Sequence, residues 1–464
     1  MNQDPPPFML SVSGVRGIVG ATMTPEIASR FAAAFGSHLR EHNDGIAPRV
    51  AVGFDGRCSG PPLAQAAMAG LAAVGCDVID IGVSATPTVG IMIEELGCMG
   101  GMNITASHNP IEWNGLKCLD AHGIAPVPDE AAHIINRFKE ERIEWVEGVQ
   151  TGSISSDDRG VELHVQRVKN VIAPEPIREC GFNVVLDSIN SSGCLGGKAL
   201  LDAYGCTVEH INGELTGVFA HTPKPIASNL EDLASAVAAN ESATCGFAQD
   251  PDADRLAVID ENGRFIGEEF TLVLAALRML QIHGPGVLAA NLSTSRMIDD
   301  IASRFPGSQV IRTAVGEANV VDALKKHAGL IGGEGNGGVI LPPVCMVRDS
   351  LSSMALILDL LRVDGRPLSE IVDSIPRYAM IKRKVDLSAI GGVEIVDSIF
   401  SRIRETWPGA KINDADGVRV DLDEGWVHLR ASNTEPIVRL IVEATDDQTA
   451  NTIIDEAAHA TGLG

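Results

Sequence analysis

Three times along this chain a short apolar strand gives way to a helix, and the pattern then returns to a strand. The first round holds "RVAVGFD" (49–55), "PLAQAAMAGLAAVG" (62–75), "DVIDIG" (77–82), "PTVGIMIEELG" (87–97) and "GGMNITAS" (100–107). The second runs through "FNVVLDSIN" (182–190), "GGKALLDAYG" (196–205), "TVEHI" (207–211) and "TCGFAQD" (244–250). The third starts at "GVLAANLS" (286–293) and passes a helix near 295–304, "QVIRTAV" (309–315), a helix near 317–327 and "GLIGG" (329–333). Such alternation requires α/β domains, with helices covering the faces of largely parallel sheets. The last strand of each round runs into an unusual loop: "SHNP" after Thr105, "DPDADR" at 250–255, and "GEGNGG" at 333–338. In open α/β sheets ligands sit beyond the carboxyl ends of strands. Three similar units would therefore deliver three loops to one central cleft.

After Pro376 the texture changes. "YAMIKRKVDL" (378–387), "GVRVDL" (417–422), "WVHLR" (426–430) and "VRLIVEA" (438–444) read as strands, with helices over 392–405 and 446–459. The expected architecture is three similar mixed α/β domains, 1–155, 156–265 and 266–376, followed by a C-terminal α+β domain, 377–464. A chain of 464 residues has room for roughly three or four domains.

The formal net charge of −25 repels nucleic acid and anionic membranes, so neither is an expected partner. It also repels an anionic substrate, so phosphate binding would need a local concentration of Arg and Lys. Nine scattered cysteines with no C-x-x-C pair argue for reduced thiols and against a zinc cluster. "MNQDPPPFML" lacks a basic n-region and a long apolar run, which fits a cytoplasmic protein.

Each loop has its own chemistry. Thr105, Ser107, His108 and Asn109 crowd one turn, and Lys117 follows; an ordinary capping turn would use some of the same residues. Asp250, Asp252 and Asp254 alternate along one loop. Three carboxylates so close repel one another unless a hard cation such as Mg²⁺ or Ca²⁺ neutralises them. An EF-hand is rejected, because Arg255 stands at the required Gly and "LAVID" continues as a strand. "GEGNGG" matches G-x-G-x-x-G, but a dinucleotide fingerprint must open a helix, and here "VILPP" follows. That leaves Glu334 and Asn336 as partners for neighbouring hydroxyls, as on a sugar. "RASNTEP" (430–436) followed by Arg439 gathers Arg430, Ser432, Asn433 and Thr434, a donor set suited to phosphate. "SVSGVRG" (11–17) and "FDGRCSG" (54–60) each present an Arg in a Gly/Ser loop. Ser107 has no G-x-S-x-G elbow. A phosphoserine, with about −1.5 to −2 charge, would instead ligate the cation together with the Asp loop.

In this order, "TASHNP", "DPDADR", "GEGNGG" and "RASNTEP" resemble the α-D-phosphohexomutase family over nearly the whole chain, "SGVRG" included. The resemblance implies that Ser107 is a phosphoserine and that Asp250, Asp252 and Asp254, with Ser107, hold Mg²⁺. It implies that Arg16 and Lys117 flank the transferring phosphoryl group. Arg255, Glu334 and Asn336 would contact the substrate, while Arg430, Ser432, Asn433, Thr434 and Arg439 would hold the non-reacting phosphate. The four domains would then carry phosphoserine, metal, sugar and phosphate in turn. Many relatives resemble G-E-x-S-G-H in the sugar loop, where this chain has Asn336 and Gly338. The His that helps proton transfer is absent, which leaves Lys117 and His108.

The expected reaction interconverts a hexose 6-phosphate and a hexose 1-phosphate through a bisphosphate, with a hexose bisphosphate as activator. The Gly-rich loop is most like that of phosphoglucosamine mutases, which points to glucosamine 6-phosphate. Rival readings are a phosphomannomutase/phosphoglucomutase of broad specificity, a phosphatase that discharges phosphoserine to water, and a catalytically weak sugar-phosphate sensor. The expected partner is a phosphorylated hexose, with the chain acting as monomer or homodimer.

Overall fold

A computed structural model describes residues 7–43, 46–387, 392–431 and 437–463. The chain divides into two compact units. One comprises Met1–Ile282 and Asn336–Val372, the other His283–Gly335 and Asp373–Gly464.

The first unit contains two sheets. The larger is built from β1 (Phe8–Ser11), β2 (Gly14–Ile18), β3 (Arg49–Phe54), β4 (Asp77–Val83), β5 (Gly100–Ile104), β6 (Trp113–Asp120) and β7 (Ile154–Ser156), in the order β1-β2-β6-β5-β3-β4-β7. β3 pairs in parallel with β4 and β5, while β6 returns antiparallel beside β5. Val50, Ala51 and Val52 are fully buried, as expected for a strand covered on both faces. Helices Pro25–Glu41 and Gly60–Ala73 pack against this sheet and each other. Their approach is so close that a Cβ on Gly70 would lie 2.2 Å from the Ser29 carbonyl oxygen. The second sheet holds β8 (Asn183–Asp187), β9 (Thr207–Ile211), β10 (Cys245–Gln249) and β11 (Leu256–Asp260), in the order β11-β10-β8-β9. Here β8, β9 and β10 are parallel and β11 is antiparallel to β10.

In the second unit β12 (Val287–Asn291) pairs in parallel with β13 (Gln309–Thr313) and β14 (Ile331–Glu334). The chain then returns to the first unit through β15 (Gly338–Ile340) and helix Ser350–Asp364, where Leu256 N–H donates to the Gly337 carbonyl at 3.0 Å. The second unit's other sheet is wholly antiparallel. Its strands are β16 (Ala379–Asp386), β17 (Lys411–Asn413), β18 (Val418–Asp421), β19 (Gly425–Ala431) and β20 (Ile437–Ala444), in the order β16-β20-β19-β18-β17. Helices Val396–Thr406 and Asp447–Thr461 bury Ile399, Ile403, Ile454 and Ala457 against it.

The three α/β sheets share one winding. In each, the first strand is central, the second lies on one side and the third on the other: β4-β3-β5, β9-β8-β10 and β13-β12-β14. The third strand is the one that carries the unusual loop in every case. β5 runs into Ser107, β10 into Asp250, and β14 ends at Glu334. Among the described residues, no helix is long and apolar enough to cross a membrane.

Candidate active site

The serine loop is held from beneath. Ser107 sits at φ +50°, a left-handed conformation uncommon for a residue with a side chain. Its N–H donates to Thr105 Oγ1 at 2.9 Å, and the Thr105 hydroxyl donates to Asp55 Oδ2 at 2.7 Å. Asp55 is paired with Arg57 (Nε to Oδ2, 3.0 Å), both side chains being fully buried. Arg57 also donates to the carbonyls of Ser107, Asn109 and Pro110, the last two at 3.0 and 2.9 Å. One guanidinium thus fixes three carbonyls of the turn. The isolated Arg of "FDGRCSG" supports the serine loop, and its sequence gave no sign of that burial.

Ser107 Oγ points at the acidic loop, donating to Asp250 Oδ2 at 3.2 Å, with His108 Nδ1 at 3.3 Å from the same oxygen. Lys117 lies on β6, not in the turn it follows in sequence. Register places it opposite Asn103, and Nζ stands 3.3 Å from Asp254 Oδ2 and 3.8 Å from Asp252 Oδ2. Asn103 donates to Thr86 Oγ1 at 2.9 Å, and Thr86 donates to Asp252 Oδ2 at 2.6 Å. Arg16 reaches Asn109 Oδ1 at 3.0 Å. Arg255 Nε lies 3.9 Å from Asp250 Oδ2 and 3.7 Å from Asp254 Oδ1, and Arg348 Nη2 donates to Asp254 Oδ2 at 2.7 Å.

Asp250, Asp252 and Asp254 are fully buried, and one oxygen from each lies within 4.8 Å of the others. Asp252 Oδ1 and Asp254 Oδ1 have no hydrogen-bond partner among the described residues. Orphaned buried carboxylate oxygens are costly and are the hard donors that a divalent cation takes. The triad therefore fits a metal ion. Burial, and then the charges of Asp254 and Asp252, push the Asp250 carboxyl well above its usual range. Burial also works against charged Asp254, but Arg348, Lys117 and Arg255 outweigh it and hold that carboxyl low. Burial, with help from Arg255 and Arg16, lowers His108 to about 3. Burial likewise lowers Arg16, against attraction from Asp252 and Asp254. Arg16, Lys117, Arg255 and Arg348 concentrate positive charge around the acidic loop of a chain whose net charge is −25. Arg348 was not singled out from sequence. Its one signal is "VRDS", an Arg before the Asp349 cap of helix Ser350–Asp364.

The second unit holds Glu334, Arg430 and Arg439. Glu334 is buried, and its Oε1 accepts from Asn291 Nδ2 at 2.8 Å and from Gly316 N–H at 3.2 Å. Asn336, on the first unit's side of the chain division, accepts from Gly338 N–H at 3.2 Å. Arg430 on β19 lies opposite Arg439 on β20, which in turn faces Lys384 on β16. Cross-strand partners share a face, and like charges so placed repel. Asp416 Oδ2, 2.9 Å from Arg430 Nε, offsets one of them. Ser432, Asn433 and Thr434 lie outside the described residues. Lys384 was missed from sequence because only strand register brings it beside the two arginines.

Models of the four domains of phosphoglucomutase/phosphomannomutase match in order: domain I over residues 9–144, II over 162–263, III over 267–378 and the C-terminal domain over 380–460. A Methanopyrus kandleri protein named "Probable phosphoglucosamine mutase" is 37% identical over 445 residues, covering 96% of this chain and 95% of that one. A Thermococcus kodakarensis phosphoglucomutase/phosphomannomutase is 37% identical over 443 residues, covering 95% and 96%. The crystal structure of a phosphoglucomutase/phosphomannomutase family protein from Burkholderia thailandensis superposes with a TM-score of 0.84 at 26% identity, covering 98% of this chain and 99% of that one.

Proposed function

The chain belongs to the phosphoglucomutase/phosphomannomutase family and is a phosphosugar mutase of the isomerase class, and on that premise we propose that it converts glucosamine 6-phosphate to glucosamine 1-phosphate through phosphorylated Ser107. The observation that carries this reading is the Ser107 hydroxyl, held 3.2 Å from Asp250 in a left-handed turn anchored by Arg57. In the proposed cycle the bond from Ser107 Oγ to phosphorus breaks as a sugar hydroxyl forms its own bond to phosphorus. The resulting hexose bisphosphate then returns its other phosphoryl group to Ser107. A trace of hexose bisphosphate would rephosphorylate a discharged enzyme and act as activator.

Asp250, Asp252, Asp254 and the phosphoserine would hold Mg²⁺, which supplies positive charge to the transferring group, the largest need of phosphoryl transfer. Arg16, Lys117 and Arg255 add fixed charge around the same group. The hydroxyl that attacks must lose a proton and Ser107 Oγ must gain one. The 3.3 Å separation from His108 Nδ1 supports a neutral His108 as a hydrogen-bond partner of the serine oxygen, and Lys117 is assigned to proton transfer. Glu334 and Asn336 are assigned to sugar hydroxyls. Arg430 and Arg439, with Ser432, Asn433 and Thr434, are assigned to the phosphate that is not reacting. The proposed segments are 1–155 for phosphoserine, 156–265 for metal, 266–376 for sugar and 377–464 for phosphate, in a cytoplasmic enzyme.

A broader phosphomannomutase/phosphoglucomutase specificity is the second reading, because relatives with either name are equally similar at 37% identity. A coupled assay across glucosamine, glucose, mannose and N-acetylglucosamine phosphates decides. The proposal expects kcat/KM to be highest for glucosamine 6-phosphate; equal values for glucose and mannose phosphates would overturn that preference.

A further inference from the structure

Between β8 and helix Gly193–Ala203 the backbone is strained. Ile189 and Asn190 lie at φ +45° and +55°, two consecutive left-handed residues. For a β-branched side chain such a φ is a true outlier, and it persists only where the surroundings enforce it. Here Ile189 N–H donates to Asp187 Oδ1 at 2.9 Å, Asn190 N–H donates to the Asn212 carbonyl at 2.8 Å, and Ile189 is fully buried. The turn delivers Ser191 and Ser192, both buried, to the acidic loop.

Both hydroxyls donate to one acceptor, the Pro251 carbonyl between Asp250 and Asp252, each at 2.7 Å. Ser191 Oγ has a second partner, since it accepts from Gly56 N–H at 2.9 Å. Gly56 stands between Asp55 and Arg57, the pair that clamps the serine turn. The approach requires glycine, because a Cβ on Gly56 would lie 2.5 Å from Ser191 Cα. One hydroxyl therefore joins the backbone beneath Ser107 to the backbone that carries the three carboxylates.

Two serines could merely satisfy a buried carbonyl. Ser192 alone would do that, and it needs no bond to the opposite loop. The neighbouring carbonyls of the acidic loop are also held: Thr86 N–H donates to Asp252 O at 2.9 Å, and Ser350 Oγ donates to Ala253 O at 2.7 Å. Among the described residues, neither of these donors bonds to residues 55–57. Ser191 alone of these four residues spans both loops, and it does so from a strained turn.

We propose that Ser191 is a positioning residue that sets the distance between Ser107 and the metal-binding carboxylates, so that phosphoserine and acidic loop close on one cation. This inference rests on the Ser107 mutase reading. It gives the strained turn at 189–190 a task in the reaction, although neither residue lies in the loops that carry the chemistry.

The test compares Ser191→Ala with Ser192→Ala in the full chain. Each variant loses one hydroxyl from Pro251 and leaves the other, so urea unfolding should show similar losses of stability. Mn²⁺ affinity of the dephosphorylated proteins, measured by calorimetry, should agree within about threefold for the same reason. Turnover should separate them. Ser191→Ala should lose about 100-fold in kcat, the scale of a 1 Å misplacement of reacting atoms, with KM within about threefold. Ser192→Ala should lose no more than about threefold. Treating wild type with a hexose bisphosphate should tighten Mn²⁺ binding, as the phosphate adds oxygen ligands; Ser191→Ala should lose that gain and Ser192→Ala should keep it. Gly56→Ala, which retains both hydroxyls but forces the segments apart, should reproduce the kcat loss. Equal kcat in the two serine variants, an undiminished gain in Ser191→Ala, or normal kcat in Gly56→Ala would overturn the proposal. Ser107→Ala, run alongside, separates the two readings. If it is inactive while Ser191→Ala is normal, only this inference falls; if it is active, the covalent mechanism falls.

Discussion

Replacing Arg57 by alanine should separate the stability of the serine loop from its catalytic competence. Arg57 and Asp55 are paired at 3.0 Å with no exposed side-chain surface. Removing one partner of a buried pair costs about 3–5 kcal/mol, because it strands the other charge. The same substitution frees three carbonyls of the turn and leaves Asp55 with the Thr105 hydroxyl and the backbone N–H of residue 57. Adding Asp55→Ala removes the stranded charge, so the double variant should recover much of the stability, to a deficit of about 1–3 kcal/mol. Turnover should not recover, since Ser107 keeps its strained φ only while the turn is clamped. A reactive atom displaced by about 1 Å can lose 10²-fold in rate. Arg57→Lys, which keeps charge but cannot span three carbonyls, should stay slow as well. The assay is urea unfolding followed by circular dichroism, in parallel with turnover. The deficit of the single variant should also shrink at acid pH. Burial already raises the Asp55 carboxyl against the pull of Arg57, and without Arg57 it rises further. A raised folded pKa gives stability that is present below the unfolded value and lost as pH increases. Full turnover in Arg57→Ala, or in the double variant, would refute the reasoning.

Three further perturbations reach other parts of the molecule. Asp252→Asn should shrink the rise in melting temperature caused by Mg²⁺, which grows as RT ln(1 + [L]/Kd), and should lower turnover at saturating metal; an unchanged rise would reduce the triad to an acidic turn. Arg430→Ala should lose a charge-assisted bond of about 1.5–3 kcal/mol, at least about tenfold in kcat/KM, and should release more labelled bisphosphate; unchanged leakage would make Arg430 a surface residue. Burial lowers His428 to about 4 while its Nε2 contacts the Asp416 carbonyl at 2.7 Å. A depressed folded pKa gives stability present above the unfolded value of about 6.5 and lost as pH falls toward 4, here about 3 kcal/mol. Unfolding measured at pH 7 and pH 4 should show that loss in the wild type and a much smaller one in His428→Gln.

The fold was legible where one periodicity dominated. Val50–Val52 and Cys245–Gln249 are buried on both faces, and their apolar runs reveal it without any tertiary knowledge. The third strand of each round could be found by counting, and so could its loop. What escaped were relations fixed by register or by chain return. Lys117 follows the serine turn in sequence, yet reaches the acidic loop from β6, where it is paired with Asn103. Lys384 joins Arg430 and Arg439 only through the β16-β20-β19 pairing. Arg348, ten positions after Gly338, comes to lie against it only because the chain returns past Val339. The Asp55–Arg57 pair read only as an Arg in a Gly/Ser loop, because composition does not record burial.

The most direct test of the central claim follows the phosphorus itself. Phosphorus NMR of glucosamine 6-phosphate with Mg²⁺, a trace of hexose bisphosphate and the full chain should show the 1-phosphate growing in with no inorganic phosphate released. Peptide mapping of the same sample should find phosphate on Ser107, and Ser107→Ala should show no conversion. Conversion by Ser107→Ala at the wild-type rate, or release of inorganic phosphate in place of the 1-phosphate, would contradict the account.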